Sequence, residues 1–125
     1  MPKLQFRLLT LLFILFASGC TDSPSIEGLD LELWKNDKYG CDYVRFDYLE
    51  ILVKGKDKLL NRDQNVIEAI LGSPDEHQLD KRKQKFFYYY LEPGPKCGED
   101  ISHPIRLQIR FNALGLSSEV FFENY

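Results

Sequence analysis

Two stretches in the middle of the chain repeat apolar residues at spacings of three and four, which is the period of a helix with one buried side. The first stretch starts after Asp42, and Gly55 should end it near Lys54 because glycine suits the residue after a helix. Its apolar positions are Tyr43, Phe46, Leu49, Ile51, Leu52 and Val53. We therefore predict a first amphipathic helix over residues 42–54.

The second predicted helix has clearer boundaries. Asn61 is a suitable N-cap, and Gln64 three residues later can complete a start similar to a capping box. Gly72 suits the left-handed residue that follows a helix, and Pro74 blocks its continuation. The apolar stripe consists of Val66, Ile67, Ile70 and Leu71. Two helices this short need a further layer to cover their apolar sides.

The C-terminal half has the patterns of strands. Lys85–Leu91 is rich in aromatic residues, Ile105–Phe111 alternates apolar and polar residues, and Leu116–Phe122 follows a short link containing Asn and Gly, which predicts a hairpin. Residues Glu76–Leu79 are a weaker fourth strand. Helices followed by antiparallel strands predict an α+β fold, with two N-terminal helices packed on one face of a three- to four-stranded antiparallel sheet.

Alternation along the predicted strands assigns side chains to the two faces of the sheet. The apolar residues of 105–111 should meet the helices, so that Arg106 and Arg110 point outward, and Phe121 is expected outside as well. The strand Lys85–Leu91 has large side chains on both of its faces. Whichever face is buried, aromatic rings remain on the other. Aromatic residues and arginine are favoured at protein interfaces. The candidate partner-binding residues are therefore Tyr88, Tyr89, Arg106, Arg110 and Phe121. The alternative is that the tyrosines only form cross-strand pairs on a solvated sheet and that a tail covers Phe121.

The N-terminus has a different composition from the rest of the chain. Two basic residues precede an apolar run over residues 8–17, which is about half the length that a helix needs to cross a hydrocarbon core. This pattern predicts a secretory signal rather than a membrane span. The ending Ala17-Ser18-Gly19-Cys20 resembles the bacterial lipobox, which implies cleavage before Cys20 and acylation of its sulfur with two or more chains in total. The alternative is an ordinary cleaved signal with a leftover cysteine.

This interpretation divides the chain into a signal peptide over 1–19, a lipidated flexible tether over 20–30 and a single α+β domain over 31–125. Loss of 1–19 would change the formal net charge from −3 to −5 because that segment holds two basic and no acidic residues. A mildly acidic domain has no electrostatic reason to bind nucleic acid or an anionic lipid surface. We therefore expect the lipid anchor alone to attach it to the membrane.

The predicted location is the bacterial cell envelope. Thr21 follows the lipidated cysteine in place of the Asp that marks retention in the inner membrane of enterobacteria, which favours the outer membrane.

The cysteine count agrees with export. If Cys20 is acylated, Cys41 and Cys97 remain as a pair in an oxidising compartment, and we expect a disulfide between them. That bond would close a loop of about 57 residues and stabilise the fold by about 4 kcal/mol. The alternative is a metal site using these cysteines with His77 and His103, although no C-x-x-C or H-x-x-x-H spacing supports it. We predict a structural disulfide and no metal.

Catalytic signatures are absent from the sequence. It contains no G-x-S-x-G, P-loop, G-x-G-x-x-G or H-E-x-x-H motif, and its two histidines lie beside turn-forming residues. We therefore predict a protein without enzymatic activity or cofactor. The loop Glu92–Pro104, stiffened by three prolines and pinned by the predicted disulfide, is a candidate recognition element because binding would order it little further.

The order of these features resembles a known family. The lipobox, two helices, the turn Ile70-Leu71-Gly72-Ser73-Pro74-Asp75, the aromatic strand and the hairpin Phe111…Gly115…Val120 are similar to SmpA/OmlA-type small lipoproteins of the outer-membrane β-barrel assembly machinery. That family shares a wider fold group with the β-lactamase-inhibitor proteins. The resemblance covers about residues 61–122. It implies a two-layer α/β domain that binds other envelope proteins, and it would also allow an inhibitor-like use of the open sheet face.

The chain departs from the assembly lipoproteins in its Cys41/Cys97 pair, its long Pro-Gly loop and its Trp34–Cys41 segment. The function we predict is that of a non-enzymatic envelope lipoprotein which faces the periplasm or the cell surface and binds another envelope protein as an accessory or assembly scaffold. The alternative is a secreted-type inhibitor or a small-ligand-binding module on the same fold.

Overall fold

The computed structural model describes residues 19, 23–98 and 101–124. In this part of the chain, three α-helices precede the sheet: α1 (Leu31–Asn36), α2 (Leu49–Gly55) and α3 (Gln64–Leu71). Four short 3-10 segments connect or follow them, over Lys38–Gly40, Arg45–Tyr48, Lys56–Leu59 and Pro95–Cys97. Within the described part of the chain, every helix is too short or too polar to cross a bilayer. The signal-peptide residues 1–18 and the predicted lipidation site Cys20 lie outside the described residues.

The sheet has four antiparallel strands: β1 (Glu76–Leu79), β2 (Lys85–Tyr90), β3 (Ile105–Phe111) and β4 (Ser117–Asn124). Each strand pairs with the next in sequence, and β3 and β4 form the predicted hairpin. The α+β prediction is confirmed, including the weak strand at Glu76–Leu79. The bounds of β3 agree with the sequence pattern, whereas β4 begins one residue later and ends two residues later than predicted.

The hydrophobic core lies between the helices and one face of the sheet. Its fully buried members from the helical layer include Trp34, Leu52, Ile67 and Leu71. The sheet contributes the inward side chains Phe87, Tyr89, Leu107, Ile109, Phe111 and Val120. Alternate residues of the same strands therefore form a second face, which we call the outer face.

The two predicted helices begin later than the sequence pattern suggested. The first starts as a 3-10 turn at Arg45 and becomes α-helical only at Leu49, because the Asp37 carboxylate accepts hydrogen bonds from the backbone N–H groups of Asp42 and Arg45 and holds this stretch in a turn. The second is capped by Asp63, whose carboxylate accepts from Val66 N at 3.0 Å.

Asn61 is not the N-cap of α3, so that prediction is wrong. Its backbone has a positive φ of 57°, and its N–H donates to the carbonyl of Ser117 at 2.7 Å. A contact with β4 therefore fixes Asn61, and the helix starts two residues further along.

The N-terminal part of the domain is longer and more ordered into helix than the sequence pattern predicted. Asp30 caps the unpredicted helix α1 by accepting from the N–H groups of Glu32 and Leu33. Trp34 in this helix is fully buried, and its indole Nε1 donates to Leu71 O at 2.8 Å. Ile26, which falls in the predicted tether, is only 4% exposed and belongs to the core. The packed domain therefore begins before residue 31.

Candidate functional site on the outer face of the sheet

The register of the strands arranges the outer face into three rows, each running across the sheet. The loop row lies nearest the Glu92–Pro104 loop, the central row follows, and the hairpin row lies nearest the turns that join β1 to β2 and β3 to β4. The loop row is Tyr90, Arg106 and Glu123; the central row is Glu76, Tyr88, Gln108 and Phe121; the hairpin row is Gln78, Phe86, Arg110 and Glu119.

Arg106 is the fixed centre of the loop row. Its Nη2 lies 2.6 Å and its Nε 2.8 Å from Oε1 of Glu123. The guanidinium carbon lies 4.0 Å from the ring centre of Tyr88, which is a cation–π distance. Burial lowers the pKa of Arg106, but hydrogen bonds with Glu123 and Tyr90 outweigh it and raise the pKa overall. Arg106 therefore stays cationic, although the residue is only 8% exposed.

The loop row is closed by the segment that follows β2. Gly94 approaches the ring of Tyr90 so closely that a Cβ on Gly94 would lie 3.0 Å from it. The N–H of Gly94 donates to Tyr39 O at 3.0 Å, which ties the loop to the turn before Cys41. Tyr90 is consequently buried although it points to the outer face.

The disulfide holds this loop in place. Cys41 and Cys97 are bonded at 2.00 Å, as the sequence predicted. Neither sulfur is then available as a thiolate ligand, so the alternative metal site with His77 and His103 is not formed. No cluster of three or more His, Cys, Asp or Glu side chains suited to a metal occurs among the described residues.

The hairpin row is more open. Phe86, Arg110 and neighbouring Phe121 of the central row are half-buried, and Glu119 is exposed. Arg110 Nη2 donates to Glu119 at 2.6 Å, whereas its buried Nε has no hydrogen-bond partner among the described residues. Buried donors without a partner are rare in folded proteins and call for an explanation. This nitrogen is closed to solvent, so a bound molecule would contact the exposed part of the Arg110 guanidinium instead.

The five predicted contact residues do not form one surface. Arg110 and Phe121 are accessible, whereas Tyr88 and Arg106 are mostly buried on the same face. Tyr89 is fully buried on the opposite face, so its place among the contact candidates is wrong. Its hydroxyl donates to Gly72 O at 2.9 Å after the end of α3, and this bond lets a tyrosine occupy the core.

Other outer-face residues were not among the predicted contact residues, because their role depends on side chains of neighbouring strands. Phe86 stacks on Tyr88 with ring centres 6.3 Å apart and planes 13° apart. With its amide nitrogen toward Glu123, Gln108 donates to both carboxylate oxygens, at 2.7 and 3.1 Å. Only the strand register reveals these pairs.

A concavity of about 510 Å³ opens beside the central row. Acidic and basic groups share its wall with an aromatic ring: it is lined by Asp75, Glu76, His77, Gln78, Tyr88, Lys96 and Arg106. The Glu92–Pro104 loop contributes Lys96, whose Nζ donates to the hydroxyl of Tyr39 at 3.2 Å. This hydrogen bond raises the pKa of Lys96, so the rim of the concavity carries a positive charge.

No protein-family model, curated protein or solved structure matches this chain. The resemblance to the SmpA/OmlA-type lipoproteins therefore stays a prediction from the order of its sequence features.

Proposed function

We propose that this chain is a non-enzymatic lipoprotein of the bacterial envelope that binds another envelope protein through the outer face of its sheet. The observation that carries the proposal is the set of side chains on and beside the hairpin row. Phe86 and Phe121 offer apolar area, and Arg110 offers a partly exposed cation. Aromatic residues and arginine concentrate binding energy in protein interfaces.

The outer-face side chains beside these groups are held in place by their contacts. Arg106 is held between Glu123 and the ring of Tyr88, and Gln108 is held by the same carboxylate. Side chains that are already ordered lose little entropy on binding, so more of the contact energy contributes to affinity. The partner that fits this surface has an apolar patch for the two phenylalanines and a carbonyl or carboxylate placed to accept from the exposed part of the Arg110 guanidinium.

The anchor in this proposal is Cys20, acylated after removal of residues 1–19. Thr21 favours delivery to the outer membrane. The bond between Cys41 and Cys97 fits an exported protein, because disulfides persist in oxidising compartments.

The proposal is tested by crosslinking in intact cells, detergent extraction of the tagged lipoprotein and mass spectrometry of the proteins that accompany it. Arg110→Ala and Phe121→Ala should each reduce recovery of a specific envelope protein at unchanged lipoprotein level. Lys35→Ala and Phe46→Ala are matched controls, since they remove an exposed cation and an exposed aromatic ring from the helical layer. Arg106→Ala is unsuitable because removing a buried, ion-paired side chain also changes stability.

Equal recovery of the partner from all four variants would contradict the outer-face assignment. A lipoprotein that is recovered without any partner would favour the alternative, a small-ligand-binding module. The concavity beside Tyr88 is the observation that favours this alternative, with Lys96 and Arg106 suited to an anionic ligand. Mass spectrometry would support this alternative if a small molecule copurifies with the unmodified protein and is lost in Lys96→Ala.

A further inference from the structure

Both hairpin turns of the sheet lie at the same end of the molecule, which we call the hairpin end. In an antiparallel sheet whose strands pair in sequence order, the first and third connections share one end. The turn between β1 and β2 spans Asp80–Gln84, and the turn between β3 and β4 spans Asn112–Leu116. Leu79 and Leu114 beside or within these turns are 71% and 84% exposed, more than any other large apolar side chain in the described part of the chain.

The hairpin end is also the basic end of an acidic protein. Its turn between β1 and β2 contains three consecutive cations, Lys81, Arg82 and Lys83, all of them exposed. The start of α3 lies at the same end, because Lys85 Nζ at the start of β2 donates to Gln64 at 2.6 Å. The basic residues of this end are Lys58, Arg62, Lys81, Arg82, Lys83, Lys85 and Arg110; the acidic residues are Asp57, Asp63, Asp80 and Glu119. This excess of positive charge contrasts with the formal charge of −3 for the whole chain.

The N-terminal segment leaves the domain beside this end. Ile26 packs on α2, where a Cβ on Gly55 would lie 3.0 Å from it, and shares a groove of about 300 Å³ with Lys58. The carbonyl of Lys58 accepts from Arg62 Nε, and the backbone N–H of Arg62 donates to Ser117 Oγ at 2.9 Å at the start of β4. A continuous series of contacts therefore leads from Ile26 to the turn that exposes Leu114.

The chain between the predicted anchor and the packed domain is short. Ile26 is six residues after Cys20, and six residues span at most about 20 Å even when fully extended. A domain fixed at Ile26 and anchored at Cys20 is held close to the bilayer, with the hairpin end nearest.

We propose that the hairpin end docks on an anionic phospholipid surface, with Leu79 and Leu114 at the interface and Lys81, Arg82 and Lys83 among the headgroups. This inference rests on the lipid anchor of the proposed function. Cations beside exposed apolar side chains match a bilayer surface, where phosphates lie next to acyl chains. Neither leucine would gain an apolar environment from the phosphate backbone of a nucleic acid. The disulfide end, with its pinned loop, then points away from the bilayer.

Tryptophan fluorescence in vesicles tests this orientation. The full-length lipoprotein is reconstituted into phosphatidylcholine vesicles with and without phosphatidylglycerol, with the phosphatidylcholine brominated on its acyl chains as a quencher. Leu79→Trp and Leu114→Trp place a reporter at the hairpin end, and Leu33→Trp places one at an exposed leucine on α1. Trp34 is buried in every variant, so its signal is measured in the unmodified chain and subtracted.

We expect bromolipid to quench the two hairpin-end reporters strongly and Leu33→Trp weakly. Replacing Lys81, Arg82 and Lys83 together by Gln should remove most of that quenching, because each cation near an anionic surface changes the ratio of docked to undocked protein by about fivefold. Replacing Lys35, Lys38 and Lys96 by Gln removes the same charge near α1 and the pinned loop, and it should leave the quenching unchanged.

Equal quenching of all three reporters, or none at the hairpin end, would overturn the docking proposal. If the hairpin-end reporters are unquenched but crosslink to a protein in cells, this end binds protein instead. Failure of the anchor itself is separate, since the intact mass of the mature protein shows whether Cys20 carries lipid. Partner capture by Arg110 and Phe121 is read in the copurification experiment and does not depend on these reporters.

Discussion

At the scale of single residues, the fold depends on a buried polar cluster centred on Arg45 and Asp75. The two side chains form an ion pair at 2.5 Å with almost no solvent exposure. Arg45 Nε also donates to Trp34 O at 2.9 Å, and the Asp75 carboxylate accepts from the backbone N–H groups of Tyr39 and Tyr90. The cluster therefore joins α1, the turn before the disulfide and the end of β2. Every oxygen of the carboxylate has a partner, which is the condition under which a buried charge is tolerated.

Asp75→Ala should lower the free energy of unfolding by about 3–5 kcal/mol, because it leaves the Arg45 cation buried without its counter-charge. Urea unfolding followed by circular dichroism measures the change. Glu50→Ala is the control, since it removes an exposed partner of Lys54 and should change stability little. If Asp75→Ala lowers the free energy of unfolding no more than Glu50→Ala does, water replaces the missing carboxylate.

Tyr89 gives a second prediction, which concerns alkaline pH. Burial raises the pKa of Tyr89 well above its usual value of 10.0. The unfolded chain then loses this proton at a lower pH than the folded chain, so the stabilisation is complete below pH 10.0 and declines as the pH rises further. Tyr89→Phe should cost about 1 kcal/mol at neutral pH by removing the bond to Gly72 O. Above pH 10.0 the difference in free energy of unfolding between the unmodified protein and Tyr89→Phe should become smaller. A difference that stays constant with pH, measured by urea unfolding, would contradict this account.

At the scale of elements, the loop after β2 is fitted to the turn at Gly40 by backbone contact. Gly40 has a positive φ of 65°, and a Cβ on it would lie 2.7 Å from the carbonyl oxygen of Glu92. The atoms that such a Cβ would meet belong to the backbone of Leu91 and Glu92, so no side-chain rotation can relieve the clash. The closed loop row of the outer face therefore depends on a glycine in a different element.

Gly40→Ala should destabilise the protein more than Gly98→Ala, and thermal unfolding of both variants measures the difference. Both residues have positive φ, so each alanine carries a strain of roughly 1–2 kcal/mol. Only Gly40 adds a steric clash, because a Cβ on Gly98 meets no described residue within 4 Å. Equal melting temperatures would show that the loop moves away from Gly40 without cost.

At the scale of the whole molecule, the two ends of the sheet differ in chemistry. The disulfide end is closed by Cys41–Cys97 and by the Arg45–Asp75 cluster. The hairpin end exposes two leucines and an excess of cations. The outer face lies between them, buried in its loop row and open in its hairpin row. If the hairpin end docks on the bilayer, the open part of the outer face lies near the membrane, where an envelope partner would be met.

Removing the disulfide by Cys41→Ser with Cys97→Ser should lower the free energy of unfolding by about 4 kcal/mol, the amount expected for freeing a loop of 57 residues in the unfolded chain. Urea unfolding of the double variant and of the unreduced protein gives the difference. A count of free thiols in the denatured, unreduced mature protein is the accompanying control and should detect neither cysteine. A difference below about 1 kcal/mol would show that other contacts already hold the loop.

The sequence by itself determined the α+β class, the four strands, the cysteine pairing and the assignment of Arg106 and Arg110 to the outer face. The fold class, the strands and the outward arginines follow from local periodicity, and the cysteine pairing was predicted on the expectation that Cys20 is acylated. Tertiary contacts alone decided the rest. Asn61 lost its capping role to a bond with β4, Tyr89 entered the core because Gly72 offered it an acceptor, and Ile26 joined the domain by packing on α2. In each case the deciding partner is distant in sequence, so no local pattern could indicate it.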